Sequence, residues 1–157
     1  MLKLAYGADA FYRWLAVAIR THAPAQHVDQ LLRRQVDPNH RDTAVIYIGG
    51  TKPSDPKLVS SFGLAAHGKF VIRSTRAGHE LCAYAFTVAK PAADGTPRNF
   101  VRLDLNAEFH VDPNGEPRSH LHPSHDYVRI PTAVLHPKEL LLWFFGAPLW
   151  AVAGKLQ

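Results

Sequence analysis

The chain has 157 residues, 46% apolar and 20% charged, with one cysteine and a formal charge of +5 when histidine is neutral. These proportions predict a single globular domain over residues 1–157 and exclude a disordered or disulfide-stapled chain. The charge is uneven, with 14 Lys/Arg against 7 Asp/Glu in residues 1–102 and 4 against 6 in residues 103–157.

The first part therefore favours a polyanion such as RNA or DNA, and the second a cation. Cys82 has no partner for an intramolecular disulfide, and the N-terminus lacks the apolar core of a signal peptide. A cytoplasmic location is the expectation.

In chain order, residues 9–22 predict a helix with Asp9 as N-cap and Phe11, Leu15, Ala18 and Ile19 inward, ended by Pro24. Residues 25–35 predict a second helix, with Val28, Leu31 and Leu32 inward. Arg33 and Arg34 then fall near its C-terminal end, where cations suit the helix dipole. The run TAVIYIGG (43–50) is β-branched and closed by two glycines, so it reads as a strand. Residues 57–68 read as a short helix. Residues 69–76 and 80–90 read as strands joined through Ala77 and Gly78, and Asp94-Gly95 centres a turn.

The segment VRLDLNAEFHVD (101–112) is the most regular. Val101, Leu103, Leu105, Ala107, Phe109 and Val111 alternate with Arg102, Asp104, Asn106, Glu108, His110 and Asp112. A period of two sustained this long is a strand with one buried face. A tight connection at 112–117 can return 118–122 as its partner. Residues 136–145 predict a C-terminal helix with Pro137 in its first turn. The uncharged run 140–154 is 15 residues long and interrupted by Gly146 and Pro148. It is too short for a membrane span and reads as a core helix, or as a surface for a protein partner or a second copy. Together these elements predict an α+β fold: two N-terminal helices, an antiparallel sheet of about five to six strands, and a C-terminal helix.

Five of the ten histidines lie between 110 and 136. If Asp112 pairs with Arg118, then His110 faces His120 and Glu108 faces His122, all on the side of Arg102 and Asp104. A one-residue slip would turn His120 and His122 toward the core. Two chemistries fit that face. In the first, His120 and His122 exchange protons with a phosphodiester, Arg102 and Arg129 hold the phosphate, and Asp104 and Asp126 orient the histidines, with no cofactor required. In the second, His110, His120 and His122 bind a divalent transition metal, with Asp104, Glu108 or His125 able to complete the set. A solvated sheet face with no function shows the same alternation.

The run FVRLDLNAEFHVDPNGEPRSHLHPSHDYVRIP resembles that of bacterial proteins ending in an H-x-H-P-x-x-D-x-x-R-x-P pattern. It also resembles the TumE-like toxins of bacterial toxin–antitoxin pairs, which carry an Arg-x-Asp-Asn strand followed by a histidine-rich, proline-containing segment. The matching positions are Arg102, Asp104, Asn106, His120, His122 and His125. Leu105 separates the Asp from the Asn, and Asp126 stands where that pattern has a basic residue or histidine. The resemblance implies an RNA-directed toxin neutralised by a partner protein. The leading expectation is thus a cytosolic ribonuclease-type protein. The alternatives are a metal-binding or interaction module without catalysis, and a subunit docked through residues 140–154.

Overall fold

On the strand Thr43–Ile48, Ala44, Ile46 and Ile48 are buried while Val45 and Tyr47 are half-buried. This two-residue period recurs across the molecule and gives the sheet one face packed against helices. The computed structural model describes residues 2–52, 54–91, 97–107, 118–123 and 128–146. Within them the order is β1 (Leu2–Leu4), α1 (Ala8–His22), α2 (Val28–Leu31), β2 (Leu32–Val36), β3 (Thr43–Ile48) and β4 (Leu58–Val59). Then come β5 (Ala65–Thr75), β6 (Gly78–Pro91), β7 (Pro97–Leu105), β8 (Ser119–Pro123), β9 (Ile130–Pro131) and α3 (Pro137–Phe144). The strands form one antiparallel sheet in the order β2-β3-β5-β6-β7-β8-β9, with β1 also on β6 and β4 on β5. The fold is α+β, as the sequence predicts.

The core lies between this sheet and the helices. Phe11 of α1 meets Phe70 of β5 edge-on at 5.4 Å between ring centroids, and Phe144 of α3 meets Phe86 of β6 edge-on at 6.1 Å. Phe70 also packs against Tyr84 and Phe86. Such offset and edge-on pairs suit the aromatic quadrupole and add to the burial of large apolar surface. At α3, Pro137 opens the helix. The His136 side chain accepts from the Lys138 N–H at 3.3 Å, and Glu139 accepts from the His136 N–H at 3.3 Å. One histidine of the cluster is thereby used as a helix cap.

Four expectations change. Residues 25–35 are not one helix: α2 covers only Val28–Leu31, and Leu32–Val36 is a strand paired with β3. Val28, Leu31 and Leu32 are buried as expected, but pairing with β3 overrides the helical spacing. The N-cap of α1 is Gly7 and not Asp9, whose carboxylate instead accepts from Arg34 at 2.7 Å. The segment 57–68 is not helical; it forms β4, a turn at Gly63 with φ +74°, and the start of β5. Among the described residues the sheet also holds nine strands, because β1, β4 and β9 are too short to show a period in sequence.

Two glycines shape the region beside the site. Gly49 ends β3 at φ +60°, and its N–H donates to the Leu31 carbonyl at 2.7 Å. That left-handed turn suits glycine. On β5, a Cβ at Gly68 would sit 2.5 Å from the Ala85 carbonyl oxygen, so only glycine fits this close strand approach.

Candidate functional site

The alternation in β7 sends Leu103 and Leu105 into the core and Arg102 and Asp104 to the opposite face. Across the ladder, His122 lies opposite Arg102 and His120 opposite Asp104. All four therefore share one face, as the sequence predicts. The pairing differs from the expected one by six residues, since His120 opposes Asp104 and not His110. A two-residue period is unchanged by any even shift, so it fixes the face without fixing the partner. Arg118 secures this register, donating to the Asn106 carbonyl at 2.9 Å and to the Cys82 carbonyl at 3.1 Å.

The side chains converge on one carboxylate oxygen. Asp104 Oδ2 accepts from Arg102 Nε at 2.8 Å, lies 3.3 Å from His122 Nε2 and 3.8 Å from His120 Nε2. His120 and His122 are 2% and 0% exposed, so the polar face is not a solvated one here. Their rings meet edge-on at 4.8 Å. Asp104 Oδ1 is buried and makes no hydrogen bond among the described residues. Arg102 Nη2 also lies 3.0 Å from His122 Nε2. That nitrogen thus faces a donor and an acceptor. As a bare lone pair it accepts from Arg102; carrying a proton it donates to Asp104.

This donor set fits a transition metal. Two imidazoles and a carboxylate suit Zn²⁺, Fe²⁺ or a similar ion. Ligand atoms about 2.1 Å from a tetrahedral ion lie about 3.4 Å apart, close to the observed 3.3 and 3.8 Å. The three ligand atoms all lie within 4.8 Å of one another, and Oδ1 offers a further oxygen.

Beside this cluster, a cleft of about 690 Å³ opens over the same sheet face. Arg102 and Asp104 line one end, and Arg33, Tyr47 and Lys69 the other. The loop after Gly49 forms its rim. There Asp55 accepts from the Lys52 N–H at 3.0 Å, and the Lys57 ammonium donates to the carbonyls of Gly50 and Lys52. His67 also lines the cleft, and burial, reinforced by nearby Lys57, holds its imidazole below the usual range. The folded protein then resists a proton that the unfolded chain accepts near pH 6.5. Stability is expected to fall as pH drops below about 6.5, and His67→Gln to flatten that fall. Melting temperatures across about pH 5–8 check this; superimposable profiles would remove His67 from the account.

The remaining sequence expectations divide. Arg129 is exposed just before β9 and is not among the residues lining the cleft. His110, Asp126, Glu108, His125, the Asp94-Gly95 turn and residues 147–154 lie outside the described residues. On β5, Arg73 donates to Glu80 at 2.9 Å. Tyr84 and Phe86 are core residues. Burial pushes the Cys82 thiol up, consistent with an unreactive side chain. The cleft itself escaped the sequence reading, because Arg33 read as a helix end. The available signal was the polar alternation of Lys69 against buried Phe70.

Comparison with protein-family models, curated proteins and solved structures finds no match to this chain. No helix among the described residues is long and apolar enough to cross a membrane.

Proposed function

We propose that the chain is a cytosolic, nucleic-acid-acting hydrolase of the ribonuclease type, in which Asp104, His120 and His122 hold a divalent transition metal. The observation that carries this reading is the convergence of His120 Nε2 and His122 Nε2 on Asp104 Oδ2 at 3.8 and 3.3 Å. A bound ion would polarise a phosphoryl oxygen and lower the pKa of its water. Arg102 supplies the phosphate contact. Arg102 lines the cleft, and its Nη2 lies 3.0 Å from the His122 Nε2 that would bind the ion, so it stands beside the position a phosphate would take. Burial favours the ligand role for the histidines over direct proton exchange with RNA, since a general acid or base must touch its substrate. An RNA-directed toxin held by a partner protein, the class implied by the sequence resemblance, fits the same chemistry.

Elemental mass spectrometry of the purified protein tests the reading, with wild type beside His122→Ala. About one transition-metal ion per chain is expected in the wild type and none in the variant, with RNA cleavage lost alongside. Circular dichroism confirms that the variant is folded. A metal-free wild type that still cleaves RNA in the presence of a chelator would overturn the metal role.

A further inference from the structure

The register places six residues in one row across the sheet. Arg33 opposes Tyr47, Tyr47 opposes Lys69, Lys69 opposes Ala85, Ala85 opposes Asp104, and Asp104 opposes His120. Five inter-strand steps make this row about 24 Å long. Its fourth member, Ala85, carries only a methyl group, so the row dips between Lys69 and Asp104. That dip is the floor of the cleft. The far end is cationic: neither Arg33 nor Lys69 has a carboxylate within ion-pair distance among the described residues. The Arg33 guanidinium lies 5.6 Å from the centroid of the Tyr47 ring, over its face.

We infer that this row is a binding track for single-stranded RNA, with the scissile phosphate at Arg102 and Asp104 and the flanking chain over Lys69, Tyr47 and Arg33. The inference rests on the proposed nucleic-acid-acting function and names the form of its substrate. Unpartnered cations spaced along a groove follow a phosphate backbone. An aromatic ring with a guanidinium over it offers bases a stacking platform without reading their sequence. Duplex RNA presents its bases stacked inside and its phosphates on a convex rod. It can use neither Tyr47 nor a recessed floor, so the track selects single strands.

The test is fluorescence anisotropy with a labelled single-stranded RNA of about 12 nucleotides, within the site sizes of small single-strand-binding folds. The same sequence closed in a duplex serves as the comparison. Chelator is present throughout, so that binding is read without cleavage and without metal. Arg33→Ala and Lys69→Ala are each expected to lower the slope of log K against log salt by roughly 0.7. Tyr47→Ala is expected to weaken binding about tenfold with the slope unchanged. Arg76→Ala, at the exposed turn after β5, is the control and leaves affinity and slope as they are. Equal affinity for duplex and single strand, or variants that bind as wild type does, would overturn the track. So would a wild type that binds no RNA. Failure here with metal content intact removes the track alone, whereas absence of metal with binding intact removes the proposed centre alone.

Discussion

Asp104→Asn is expected to abolish metal binding while the fold persists. The substitution keeps the shape of the side chain and its place opposite His120. It removes the charge on which two imidazoles and Arg102 converge. Replacing groups that merely support a ligand lowers metal affinity about 10–100-fold, so loss of a ligand charge should cost at least about 100-fold. The fold should survive because the ion pair it breaks is partly solvated: Arg102 is 30% exposed at its side chain and Asp104 13%. The amide oxygen of asparagine can still accept from Arg102, so that hydrogen bond persists without the charge. Thermal melting separates the two effects. With free Zn²⁺ about 100-fold above its Kd, wild type gains about 2.7 kcal/mol. For a domain of this size that raises the melting temperature by roughly 5–10 °C. The variant should show no such rise. An equal metal-induced shift in both proteins would remove Asp104 from the ligand set.

Phe70→Ala should bring the largest loss of stability away from the site. Phe70 is fully buried at the centre of β5 and touches the rings of Phe11, Tyr84 and Phe86. It joins α1 to the two longest strands. Truncating a buried phenylalanine costs about 3–5 kcal/mol, because the cavity left behind closes only in part. Phe62→Ala, at a phenylalanine that is 59% exposed, should change stability by less than about 0.5 kcal/mol. Urea denaturation of the two variants beside wild type reads both values. A loss below about 1 kcal/mol at Phe70 would mean that the core repacks around the gap.

Much of the fold could be read from residue order, and the misses share physical causes. The first helix was visible because Phe11, Leu15, Ala18 and Ile19 follow a helical period and are all buried. The α3 start was visible because Pro137 and its neighbours cap a helix chemically. Strand β2 was not, because Val28, Leu31 and Leu32 keep a helical spacing across a junction where helix turns into strand. Only the partner strand decides that junction. At the site, alternation placed Arg102, Asp104, His120 and His122 on one face. It could not choose between Asp104 and His110 as the partner of His120, because both choices keep every side chain on the same side. Burial of the histidines was hidden for a related reason: period two reports which face a residue is on, and not what covers that face.

The position of β2 bears on how copies of this chain meet. Along the principal strand order it is an end strand, with β3 on one side. A row of backbone donors and acceptors on the other side is a template for another strand. A second copy arriving there antiparallel would set Arg33 and Arg34 against a second pair of arginines. Asp9 neutralises Arg34 within its own chain, leaving Arg33 as the charge with no carboxylate partner among the described residues. Like charges placed directly across a ladder oppose pairing. The cation that ends the proposed RNA track would therefore also oppose antiparallel pairing of two copies through their β2 edges.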